Sequence, residues 1–239
     1  MLRKIKVCLS PALFDIYADR KSIVVVVDIL RATSAMCVAF DRGVEKIVPV
    51  STVEEALDYK NKDNYILAAE RNGKIVSGFD FGNSPLLYLK ENLTNKSLVV
   101  TTTNGTKAIN IAKIDHEVVI GSFLNIDSLT NFLIEKDKDI IILCAGWKND
   151  FCIEDTMFAG ALIKNLLLSN KFESNSDAAN ISRLLYEEAK DDMFKFLENS
   201  QHRVRLSELN IEDDVRFCLL RNKTNLIPYY NKNYLSIKK

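Results

Sequence analysis

Short β-branched runs alternate along this chain with stretches of helical period, and that alternation restricts the fold more than any other feature of the sequence. Strands separated by helices build a parallel or mostly parallel sheet covered by helices, the α/β class. The spacing predicts strands over residues 4–9, 22–27, 46–50, 65–69, 97–101, 117–120 and 139–144. Helices are predicted between them, at 32–42, 53–59, 85–91, 105–113, 126–135 and 154–168. Gly43 stops the first of these helices, and Ser84 followed by Pro85 starts the third as an N-cap with proline at the first helical position.

An α/β fold absorbs 239 residues as one unit, so a single domain over 1–239 is expected, with a hinge at the polar, turn-like stretch 169–175. A helical stretch to about residue 198 and a last apolar run over 226–230 complete the chain. With 32 basic against 32 acidic residues and no basic block, a nucleic-acid partner is not expected. The start, MLRKIKVCLSPALFD, lacks the apolar stretch of a signal peptide, and the run of valines ending at Val27 is stopped by Asp28. No membrane partner and a cytoplasmic location are expected. The five cysteines contain no Cys-x-x-Cys and read as reduced thiols.

In open α/β sheets ligands bind beyond the carboxyl ends of the strands, and here those ends are polar. Asp28 and Arg31 follow the second strand, with Thr33 and Ser34 in the next turn. Glu70 and Arg71 follow the fourth, and the segment Thr101-Thr102-Thr103-Asn104-Gly105-Thr106 follows the fifth. Cys144 ends the seventh, and Asp150, Glu154 and Asp155 open the helix after it. The TTTNGT segment runs from a strand into a helix, which suits an oxyanion; an ordinary N-cap with a glycine turn accounts for it equally well. Arg31 offers a planar fork for phosphate or carboxylate, where a salt bridge is the commoner use. Asp28 directly after four valines sits at the sheet's mouth or caps a helix. Together Asp28, Glu70 and Asp155 offer hard oxygen ligands suited to Mg²⁺, whereas two distant histidines make zinc a poor fit. A second Asp two positions after Asp28, as in haloacid-dehalogenase-type phosphatases, is missing because Leu30 stands there. An Arg six positions after Cys144, as in cysteine phosphatases, is missing because Asp150 stands there. Cys144 therefore reads as a pocket-lining residue.

The runs VVVVDILRATSAM, AERNGKIVSGFDFGNSP, TTNGTKA and CAGWKNDFCIEDTMFAG, in this order, resemble the successive motifs of the 2-phosphosulfolactate phosphatase family. The tail resembles it as well, from His202 through Asp214 and Val215 to Pro228. The resemblance implies a three-layer α/β/α sandwich with a mixed, mostly parallel sheet. It implies a Mg²⁺-dependent phosphate monoesterase that converts 2-phospho-3-sulfolactate and water to 3-sulfolactate and phosphate, a step toward coenzyme M. Other phosphorylated 2-hydroxy acids are compatible substrates, and a homo-oligomer is compatible with the sequence. Within the motifs, Asp28, Glu70 and Asp155 are assigned to Mg²⁺. Asn104, Thr103 and the Gly105 N–H are assigned to the phosphate, and Arg31, Arg71 and Lys107 to the carboxylate and sulfonate. Thr33, Asn83, Thr106 and Cys144 complete the expected substrate site, and Glu154 joins Asp28, Arg31 and Asn104 as a catalytic candidate. Two departures stand out: Lys107 in place of an expected Arg, and Cys152 where Ser is commoner.

Two other classes fit parts of the pattern. An isochorismatase-like cysteine hydrolase would combine Cys144, Asp28 and Lys148 or Lys107. A non-catalytic binder of small anions would use Arg31 and the TTTNGT segment without a metal.

Overall fold

The computed structural model describes residues 1–237. Its strands are β1 (Arg3–Cys8), β2 (Ile23–Val27), β3 (Lys46–Pro49), β4 (Tyr65–Arg71), β5 (Lys74–Ile75), β6 (Ser97–Thr101), β7 (Glu117–Gly121), β8 (Ile140–Cys144), β9 (Phe172–Glu173), β10 (Pro228–Asn231) and β11 (Tyr234–Ile237). The helices are α1 (Phe14–Tyr17), α2 (Ala32–Asp41), α3 (Val53–Leu57), α4 (Pro85–Leu89), α5 (Gly105–Ala112), α6 (Ile126–Lys136), α7 (Ile153–Leu167), α8 (Asp177–Ala189), α9 (Met193–Phe196), α10 (Gln201–Ser207) and α11 (Glu212–Cys218). All strands join one sheet in the order β5-β4-β6-β3-β11-β10-β7-β2-β8-β1-β9. The pairs β1–β8, β8–β2, β2–β7, β3–β6 and β6–β4 are parallel.

All five residues of β2 are buried, and their alternation divides them between two cores. Ile23, Val25 and Val27 join the core built with α6 and α7, through Phe132, Met157, Phe158 and Leu162. Val24 and Val26 join the opposite core, with Met36, Val38 and Phe40 of α2 and Ile109 of α5. Side chains at successive strand positions point to opposite faces, so a strand covered on both faces is apolar throughout. The three-layer α/β/α sandwich expected from sequence is present. No helix among the described residues is long and apolar enough to cross a membrane.

The chain's last apolar run becomes β10 of an antiparallel hairpin with β11, inserted between β3 and β7. It joins two blocks of parallel strands into one sheet. The 169–175 stretch, read from sequence as a hinge, contains β9, which pairs with β1, and leads to α8 packed along α7. Two helices between residues 198 and 226 were not expected: α10 and α11. Both lie at the carboxyl edge of the sheet, where they close the site.

The α7–α8 contact is tight at Gly160, where an added Cβ would stand 1.9 Å from the Ser182 carbonyl oxygen. Gly160→Ala forces two helix backbones apart, so a loss of about 3 kcal/mol is expected, at the upper end of ordinary overpacking costs. Urea denaturation of wild type and variant measures it, and equal midpoints with equal slopes would refute the contact.

Candidate active site

The register aligns Val27 with Gly121 and Cys144, and Ala69 with Thr101, which brings the polar residues after each strand to one edge. Asp28 follows β2 in a turn locked by Thr33, whose hydroxyl donates to the Asp28 carbonyl (2.9 Å) and accepts from the Asp28 N–H (3.1 Å). Thr33 is thereby a brace for the turn. The Asp28 carboxylate accepts from the Ala32 N–H at the start of α2 (3.3 Å). Burial, reinforced by the charges of Glu70 and Glu154, pushes its carboxyl up to about 6, against the opposing pull of His202 and the Ala32 N–H. Gly105 opens α5 beside it: an added Cβ would lie 2.8 Å from Asp28 Oδ2 and 2.8 Å from Ala32 Cβ. A residue without a side chain lets the helix start approach this carboxylate and leaves Oδ2 bare.

Across the cleft, β4 ends at Glu70 and Arg71 and turns through Asn72 and Gly73, both at positive φ, into β5. Glu70 accepts from the Gly73 N–H and from the Asn83 amide (3.4 Å), so the turn and Asn83 hold the carboxylate at the cavity wall. Arg31 reaches the same turn, donating to the Gly73 carbonyl (3.1 Å) and pairing with Asp214 of α11. Asp214 also accepts from the Ser84 hydroxyl (2.7 Å). Arg31 and Asp214 are both almost fully buried, so this pair fastens α11 to the strand ends.

The third wall comes from α7 and α10. Glu154 accepts from or shares a proton with His202 Nδ1 at 2.5 Å. Burial pushes the Glu154 carboxyl up, but the hydrogen bond and charge of His202 outweigh it and hold the group below the usual range. Its second oxygen, Oε2, is buried with no hydrogen-bond partner. The His202 ring lies 5.9 Å from Trp147, and the Arg205 guanidinium lies 3.2 Å over the same indole. Burial lowers the Arg205 pKa, opposed by the nearby charges of Glu70, Cys152, Glu154 and Asp28. Among the described residues Arg205 makes no ion pair within hydrogen-bond reach.

Asp28, Arg31, Glu70, Asn83, Thr102, Asn104, His202 and Arg205 thus face one cavity of about 20 Å³, room for one or two water-sized groups at roughly 10–15 Å³ each. It adjoins a cavity of about 530 Å³ that shares Trp147, His202 and Arg205 and is lined further by Phe151, Cys152 and Gln201.

Several expected site residues lie elsewhere. Asp155, expected as the third metal ligand, accepts from the Ile29 N–H (2.8 Å) with Oδ1 and from the Gly146 N–H (3.0 Å) with Oδ2. It ties two strand-end loops together and lies outside the cavity lining. Thr102 and Thr106 close on each other, with the Thr106 N–H donating to the Thr102 hydroxyl (3.0 Å) and the Thr106 hydroxyl to the Thr102 carbonyl (3.0 Å). Thr103 does not line the cavity; its neighbours Thr102 and Asn104 do. Asn104 accepts from the Lys148 N–H (3.0 Å), which leaves its amide N–H groups for a ligand. Arg71 turns onto the backbone carbonyl of Glu70 (2.7 Å) and the Thr101 hydroxyl (3.1 Å). Lys107 is exposed and donates to Asn149 (2.8 Å). Cys144 is fully buried, and burial with the charge of Asp155 pushes its thiol well above the usual range, so it forms no thiolate nucleophile. Sequence reasoning missed His202 and Arg205 as site residues, and Asp214 as the partner of Arg31.

Residues 8–233 match the family model for 2-phosphosulpholactate phosphatase. A probable 2-phosphosulfolactate phosphatase of Caldanaerobacter subterraneus subsp. tengcongensis is 36% identical over 208 residues, 86% of each chain. One from Clostridium novyi is 39% identical over 210 residues, 87% of this chain and 88% of its own. One from Thermotoga maritima is 37% identical over 204 residues, 85% of this chain and 87% of its own. With the motifs in order and the match running from β1 to the C-terminal hairpin, the chain belongs to the 2-phosphosulpholactate phosphatase family.

Proposed function

We propose that this protein is a Mg²⁺-dependent phosphate monoesterase acting on small, highly anionic esters of the 2-phosphosulfolactate type, other phosphorylated 2-hydroxy acids included. One arrangement carries the reading: the carboxylates of Asp28 and Glu70 share a small cavity with Arg205, a guanidinium held on an indole face and not on an acid. Relatives named as probable 2-phosphosulfolactate phosphatases support it.

The donor set fits the ion. Mg²⁺ takes one or two carboxylates and completes its shell with water and phosphate oxygens, and Asp28 Oδ2, kept bare by Gly105, and Glu70 supply the two. When bound, the ion neutralises phosphate charge and polarises the phosphoryl oxygen. Arg205 and the Asn104 amide line the same cavity and bind the phosphate oxygens, as preorganised donors that meet the charge of the transition state. As water attacks, a P–O bond to it forms and the P–O bond to the alcohol breaks. His202, oriented by Glu154, delivers a proton to the departing alkoxide, and the proton shed by the attacking water passes to solvent, from which His202 is reprotonated. Leu30 lines the cavity where a partner acid for a covalent Asp28 would stand, which favours the ligand role of Asp28. The small cavity has no space for the rest of the substrate, so the carboxylate and sulfonate extend into the larger one beside Gln201 and Phe151.

Phosphate release from 2-phospho-3-sulfolactate tests the assignment: EDTA is expected to abolish it and Mg²⁺ to restore it, and full activity in a metal-stripped preparation would overturn the metal dependence. Arg205→Met is expected to lower kcat/KM about a hundredfold, or ~2.7 kcal/mol of transition-state stabilisation. Lys107→Met, whose amine serves Asn149, should change kcat/KM less than about threefold by the same reasoning; equal effects at both positions would remove Arg205 from the phosphate site. Cys144 is expected to resist iodoacetamide in the native protein, and Cys144→Ser to keep most of its turnover. A loss of three powers of ten, roughly 4 kcal/mol, would bring a cysteine nucleophile forward.

A further inference from the structure

Between the two cavities, Cys152, Glu154 and His202 each offer a ligand atom, and these three atoms lie within 4.8 Å of one another. Among the described residues no other His, Cys, Asp and Glu side chains converge in this way; the carboxylates of Asp28, Glu70 and Asp155 do not. The set is soft and mixed, with one sulfur, one imidazole and one carboxylate. It differs in kind from the all-oxygen pair assigned to Mg²⁺.

We propose that Cys152, Glu154 and His202 form a second metal site, selective for a thiophilic divalent cation such as Zn²⁺, whose occupation silences the enzyme. Three protein ligands from sulfur, nitrogen and oxygen leave a fourth tetrahedral position toward the cavity, the arrangement Zn²⁺ takes in open sites. Two further observations point to a ligand here. Glu154 is 1% exposed, yet its Oε2 is buried with no hydrogen-bond partner, a deficit that a cation would remove. Arg205 is held over Trp147 and, among the described residues, makes no ion pair with Glu154, so no basic side chain other than the His202 ring competes with a cation for this carboxylate. Cys152 ends the loop that leads into α7 and Glu154 lies in its first turn, while α10 brings His202 across to them.

Binding has a defined proton balance. The cation displaces the Cys152 thiol proton to solvent and any proton shared between His202 and Glu154, leaving thiolate, carboxylate and neutral imidazole around a double positive charge. The site is neutral as a unit. His202, once ligated, no longer delivers a proton; this consequence rests on the catalytic reading above, whereas the binding itself does not.

Titration with Co²⁺, in buffer saturated with Mg²⁺, separates the two. One equivalent per chain should bind and give a near-ultraviolet thiolate-to-cobalt charge-transfer band, with release of protons to a weak buffer. Cys152→Ser and Cys152→Ala should lose the band and bind Zn²⁺ more weakly by more than the roughly 10–100-fold that loss of an outer-shell partner costs. Either variant suffices if the other fails to fold. Zn²⁺ should inhibit phosphate release by wild type in excess Mg²⁺ and inhibit Cys152→Ser at least about tenfold less potently, each measured against its own activity without Zn²⁺. No charge-transfer band, or the same band in the variants, would overturn the site. A band with one bound equivalent and undiminished phosphate release would uphold the site and remove His202 from proton transfer, a failure of the catalytic reading alone.

Discussion

Strands buried on both faces leave no room for charge along their length, so this fold drives its polar side chains to the strand ends. β2 shows the constraint most directly, with five buried residues divided between two cores and an acid at the next position. A carboxylate at Asp28 is tolerable only where it meets N–H groups, a cation or solvent. The Ala32 N–H meets part of that need, and the remainder shows as a carboxyl pushed up to about 6. The same edge collects Glu70, Glu154, Asp155 and Asp214, and the site is organised by how each is compensated.

Asp155 is satisfied by two backbone N–H groups, and burial pushes its carboxyl well up. Asp214 is satisfied by Arg31, and Glu154 in part by His202. Those three acids are therefore framework: they fasten the Gly146 loop, α11 and α10 to the sheet. Asp28 and Glu70 face the cavity with no ion pair to a basic side chain among the described residues, and their uncompensated charge is what the proposed Mg²⁺ would neutralise. In a chain of zero net charge it is this local sorting of charges, and not the total, that sets what the cavity can attract.

The sheet and most of its covering helices were legible because β-branched runs and helical periods are strong, local signals. Asp28 was legible for the same reason, an acid abutting four valines. The threonines after β6 were legible as a helix start and not in their roles, since Thr102 and Thr106 satisfy each other's backbone while Asn104 lines the cavity. Asp155 and Arg71 were misplaced because sequence shows that a polar group stands at a strand end and not which way it turns. Residues 198–226 were illegible: α10 and α11 are seven residues each and rich in charge, without a continuous apolar stripe. Their signal is scarcity, His202 being one of two histidines and Trp147 the single tryptophan of the chain.

Two arginines reach the cavity, and their partners decide what each can do. Arg31 sends one fork arm to Asp214 and the other to the Gly73 carbonyl, so its charge is matched by a buried carboxylate. Removing it would leave Asp214 buried and unpaired, which makes it a fastener of the site more than a binder of the substrate. Arg205 rests on the face of Trp147, and a guanidinium stacked on a ring keeps its N–H donors free in its own plane. Its Nε is buried without a partner, and burial lowers its pKa despite four acidic neighbours. An anion entering the cavity therefore finds at Arg205 a cation that is already positioned and partly desolvated, with no carboxylate to displace. A lysine there would bring a point charge with no flat surface to lie on the indole. The planar group accounts for both the stacking and the open fork.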